Sequence, residues 1–210
     1  MTVTSDVTIC NLALTRLGHS TITSLDQITK GATLCNLHYP ICRDAVLRAH
    51  TWNFAIRRAS LASDATATVP FEYTYRFPLP DDCLKVIRTS CEADGGVSAG
   101  AVYGWPGLVG GGVAPSYRIE GKAIMTNDST MLIEYIARIV DVAQFDALFV
   151  DCLASRIAAE IATALTDNAS MASGMLDVYR QKISEARSVD AQEGTPRDVI
   201  DASGWLMARV

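Results

Sequence analysis

Residues 96–100 read Gly-Val-Ser-Ala-Gly, the spacing in which a serine nucleophile stands on a sharp turn between a strand and a helix. That chemistry needs a histidine base after the serine, and His19, His38 and His50 all precede Ser98. The residues that follow are glycine-rich rather than helical, so the pattern predicts a loop. Gly121-Lys122 resembles the end of a phosphate-binding loop, but Ala123 stands where a magnesium-binding hydroxyl belongs, and no glycine precedes Gly121 by five residues. Asp81 and Asp82 could share acid-base work, yet they follow Pro80 at a strand entry, where turn chemistry accounts for them. The six cysteines contain no CxxC pair, and the three histidines sit near no cluster of ligands. The expectation is reduced, buried thiols, no metal, no cofactor and no catalysis.

The remaining unusual stretch is residues 41–62, ICRDAVLRAHTWNFAIRRASLA, with four arginines and a Trp-Asn-Phe cluster. Such a segment could contact phosphates and stack bases, so a nucleic-acid footprint over residues 43–58 is one reading. The chain as a whole opposes it. Eighteen basic against twenty-three acidic side chains give a formal charge of -5, which repels a polyanion at long range. The simpler reading makes Trp52 and Phe54 core anchors at a junction, with Arg48, Arg57 and Arg58 satisfying nearby carboxylates or carbonyls.

The elements that would carry these residues follow from periodicity. Ser5 can cap a helix over residues 6–17 that ends at Gly18, with Ile9, Cys10, Ala13 and Leu14 inward. A second helix is predicted over 32–49, entered past Ser24 and Gln27 at capping-box spacing. Leu34, Leu37, Ile41 and Ala45 form its apolar face, Asp44 and Arg48 an exposed pair, and Pro40 a bend or break. Alternation in FEYTYRF predicts a strand with Phe71, Tyr73, Tyr75 and Phe77 on one face. CLKVIRTSC, the two halves of SYRIEGKAIMT about a turn at Glu120-Gly121, and MLIEYIARIV supply further strands. Helical spacing returns from Gln144, predicting the longest helix, with an Arg156-Glu160 pair; another follows over 170–191.

The resulting expectation is an α+β fold: a helical body from 1–62 and 141–191, and a β-rich insertion over 63–140 with a glycine-rich loop at 95–112. An extended C-terminal arm occupies 192–210. With 49% hydrophobic residues the chain can bury a core. The apolar run 147–165 is broken by Asp151, Arg156 and Glu160, so no membrane span is expected. Nor does the first decade of residues show a signal peptide. Trp205, Leu206 and Met207 form an apolar knot in the arm and, with Trp105 in the glycine-rich loop, are candidate contact residues.

The ordered set LALTRLGHSTITSLD, ATLCNLHYPICRDAVLRAHTWNFAIRRASLA and FPLPDDCLKV resembles the tail tubular protein A family of short-tailed bacteriophages, the adaptors between portal and tail nozzle. The resemblance implies a structural virion protein in the phage neck, assembled in the host cytoplasm. It implies a ring of twelve copies below the portal, above the nozzle, around a channel that DNA passes without specific binding. It implies no catalysis. On it, Arg57 and Arg58 are expected at protein interfaces, where a planar guanidinium recognises a neighbour's carboxylates.

Overall fold

The structure is a computed structural model and describes residues 5–66, 71–90 and 117–193. Among these residues the fold is α+β, with four helices and two small antiparallel sheets. Helix α1 (Asp6–Arg16) starts where the Ser5 hydroxyl accepts from Thr8 N, and ends as Gly18 turns left-handed at φ +69°. Asn11 then fixes the outgoing chain by exchanging two hydrogen bonds with the Ile22 backbone, at 2.9 and 2.8 Å.

Helix α2 (Lys30–Ala49) begins earlier than its periodicity suggests, capped by the Thr29 hydroxyl, while Ser24 and Gln27 hydrogen-bond within the preceding turn. It is a single element through Pro40. Pro40 faces solvent, where water can satisfy the carbonyl its missing N–H leaves free. The buried line of α2 is Cys35, Tyr39, Cys42 and Val46, not the expected one: Leu37 is 60% and Ile41 64% exposed. The expected Asp44–Arg48 pair is also absent. Asp44 instead accepts from Arg43 and from Arg138, at 2.9 and 2.7 Å, and Arg48 donates to the Leu84 carbonyl.

After α2 a short 3-10 turn (Asn53–Ala55) leads into β1 (Ile56–Leu61), so the sheet starts inside the stretch expected to be helical, and the helical body ends near residue 55 rather than 62. The other strands are β2 (Tyr75–Pro78), β3 (Cys83–Thr89), β4 (Tyr117–Glu120), β5 (Ala123–Thr126) and β6 (Met131–Ala137). One sheet has the order β1-β6-β3, the other β2-β5-β4. The β4–β5 hairpin turns at Gly121, φ +58°, as expected.

Strand β2 is shorter than the alternation in FEYTYRF implies. Glu72 has φ +60° and Tyr73 N bonds Phe71 O at 2.7 Å, a γ-turn that ejects Phe71 to 75% exposure. Helix α3 (Ala147–Thr166) is capped by Asp146, and α4 (Ala169–Glu193), rather than α3, is the longest. The last two residues of its last turn, placed by sequence in the arm, are therefore helical.

The helices and both sheets share one core, in which Trp52, Phe77, Ile124, Phe149 and Ile157 are all essentially inaccessible. Asp151 on α3 accepts from Arg16 of α1 and Lys182 of α4, clamping three helices by charge. No helix among the described residues is long and apolar enough to cross a membrane.

Candidate interaction surface

The arginine-rich stretch resolves into four environments. Trp52 is 1% exposed; its indole N–H donates to Val46 O at 2.9 Å, and its ring meets Phe149 edge-on at 5.2 Å. Phe54 packs half-buried between Phe149 and Phe145. These rings close the junction between α2, β1 and the entry to α3, and Trp52 has no face left for a base. Arg43 lies nearly buried along Asp44. Arg57 is exposed but tethered, donating to the carbonyls of Phe54 and Ile56 and to Gln144 Oε1 at 3.1 Å. Arg58 is exposed and makes no side-chain hydrogen bond or ion pair with another described residue.

Arg58 stands opposite Glu134 across β1 and β6, and Arg88 of β3 pairs with Glu134 at 2.8 Å from the other side. With Leu132 and Ser60 they line an open cleft of about 430 Å³ over the first sheet. Of the expected contact residues, then, Arg57 is already engaged within its own chain and Arg58 has no partner among the described residues. Trp105, Trp205, Leu206 and Met207 lie outside the described residues, as does the Ser98 pattern.

Several of the described residues whose types could do chemistry are engaged within the fold. Asp81 and Asp82 form a turn closed by Cys83 N to Pro80 O at 2.9 Å, and Asp82 accepts weakly from the Tyr135 hydroxyl. His50 bonds Asp190 at 2.9 Å and meets Trp52 edge-on, joining the ends of α2 and α4. No group of three metal-ligating side chains comes together among the described residues. Their five cysteines are free. Burial pushes the Cys42 and Cys152 thiols up to about 11, leaving almost no thiolate at neutral pH.

A surface that sequence reasoning assigned to the core is exposed instead. Leu37, Ile41 and Arg48 project within about 40° of one another at 3.6 residues per turn, and Pro40 and Ala45 flank them on the same outward side. The signal was present in the sequence as two apolar lines on one helix, of which only one can face the core. At its C-terminal end this stripe meets a second cleft of about 410 Å³. Arg48, Lys85 and Lys122 stand around it over a floor that includes Leu79, Leu84, Val86 and half-exposed Ile119. The surface combines a row of apolar side chains with a cationic end, the composition of a protein-contact face.

The architecture and this face describe the class: an α+β chain whose well-packed helical body presents an apolar helix face that is exposed among the described residues. No protein-family model matches the chain, and no characterised protein matches its sequence.

Proposed function

We propose that this protein is a structural component of a bacteriophage virion, a head-to-tail adaptor that assembles as a ring between portal and tail nozzle and continues the DNA channel. Twelve copies match a dodecameric portal. On this reading the chain performs no catalysis, binds no cofactor and passes DNA without gripping it. The observation that carries the proposal is the outward line of α2, where Leu37 and Ile41 are more exposed than a lone soluble helix needs while the opposite side of the same helix is fully packed. A second apolar face on a helix already docked to its own core is explained by another polypeptide. The ordered sequence resemblance to phage adaptors names the kind of assembly in which that polypeptide is a neighbouring copy or the portal.

The test is mass photometry with negative-stain imaging of the purified chain, alone and mixed with the portal protein of the same virus. A ring of about twelve copies seated on the portal is the expected result. A chain that ignores the portal and binds duplex DNA with steep salt dependence overturns the proposal in favour of the footprint over residues 43–58.

A further inference from the structure

We infer that the cationic cleft beside α2 seats residues 198–201, Asp-Val-Ile-Asp, of a neighbouring copy. The inference rests on the ring reading for the presence of that neighbour. The cleft is unusual for an acidic chain: Arg48, Lys85 and Lys122 converge on it, and no acidic side chain lines it among the described residues. Neither lysine forms an ion pair with a described residue, and both are exposed. Beneath them the lining is apolar, with Leu84, Val86 and Ile119. A complementary occupant carries carboxylates around branched apolar side chains on a short length of chain.

Residues 198–201 have that composition: Asp198 and Asp201 bracket Val199 and Ile200, a length of chain that can reach about 10 Å. They belong to 194–210, which lie outside the described residues, so their contribution is read from sequence. The structure does give their point of departure. The end of α4 is held against the end of α2, where Asp190 bonds His50 and Arg187 donates to Ala49 O at 2.7 Å, one residue beyond Arg48. From Glu193, five residues of chain span at most about 17 Å. A ring contact between identical copies is heterologous and requires each copy to carry a donor and an acceptor face. A segment with two aspartates that leaves from the end of α4, and a cationic cleft beside α2, supply such a pair.

The test couples amines to touching carboxylates with a zero-length carbodiimide, on full-length rings assembled on portal from isotopically heavy and light copies. Lys182 and Asp151 touch within one chain and serve as the built-in control for coupling. The expected products join Lys85 or Lys122 to Asp198 or Asp201 and contain one heavy and one light peptide. Arg48→Gln, which removes a cation but no reactive amine, lowers their yield about fivefold while the Lys182–Asp151 product persists. Rings that give the control product but no mixed-isotope link from either lysine overturn the inference and leave the ring reading standing. Links confined to single copies overturn it equally. Failure to form rings at all, with no such link, removes both.

Discussion

At the scale of single residues, Trp52 and Asp151 hold the body together by different physics. Trp52 fills the junction of helices and sheet and spends its one polar group on Val46 O. Replacing it with alanine removes a fully buried indole, and the expected cost is about 3–5 kcal/mol of unfolding free energy in urea titrations. Trp52→Phe, which keeps a ring against Phe149, costs clearly less. Asp151 is partly exposed, so its two cations contribute modestly. Asp151→Asn is expected to lose about 1 kcal/mol at neutral pH. Partial burial pushes its carboxyl up, but the hydrogen bond from Lys182 and the charge of Arg16 outweigh this and hold it below the usual carboxylate range. A carboxyl depressed by folding stabilises above its unfolded value, about 3.9, and loses that contribution as pH falls through the folded value. The stability difference between wild type and Asp151→Asn therefore shrinks as urea titrations move from pH 7 to pH 3; a difference constant across that range would deny the charge a role.

Among the elements, what sequence revealed and what it concealed divide along physical lines. The ends of α1 were legible because a serine cap and a left-handed glycine act through a few adjacent atoms. The β4–β5 turn was legible for the same reason. Strand β1 was not, because an edge strand with one pairing partner tolerates Arg57 and Arg58 side by side and shows no clean alternation. The inner face of α2 was misassigned because its core line uses two cysteines and a tyrosine, while leucine and isoleucine mark the opposite side. The candidate site was hidden by that same error, since its stripe is the line credited to the core, and the cationic cleft joins residues from α2, β3 and the hairpin that only folding brings together. The correction has a measurable consequence. Leu37→Glu with Ile41→Glu changes residues that make little core contact, so unfolding free energy should move by no more than about 0.5 kcal/mol. Ring formation on the portal, seen by negative stain, should be lost. A severe loss of stability would instead place these side chains in the core of the folded chain.

For the whole molecule, charge separates what the proposed adaptor and a nucleic-acid module should each do with DNA. In the proposed ring of twelve, a formal charge of -5 on each chain would sum to about -60, a field that would let DNA slide rather than adhere. Locally, the arginines that suggested a footprint are dispersed: Arg43 lies on Asp44, Arg48 on Leu84 O, and Arg57 on carbonyls and Gln144, leaving Arg58 as the member with no partner among the described residues. A protein making six to ten phosphate contacts would lose affinity by a factor of about 10³–10⁵ between 50 and 200 mM salt. This chain should bind a labelled duplex feebly at low salt and show no such slope in fluorescence anisotropy. Arg57→Ala with Arg58→Ala sharpens the comparison, because both readings use these residues in opposite ways. If they serve protein contacts, the double variant leaves the feeble DNA signal unchanged and weakens assembly on the portal, chiefly through Arg58, whose guanidinium is free to meet a neighbour's carboxylate. If they serve phosphates, the variant lowers DNA affinity and flattens its salt slope while portal assembly is untouched, and the adaptor role for this strand falls.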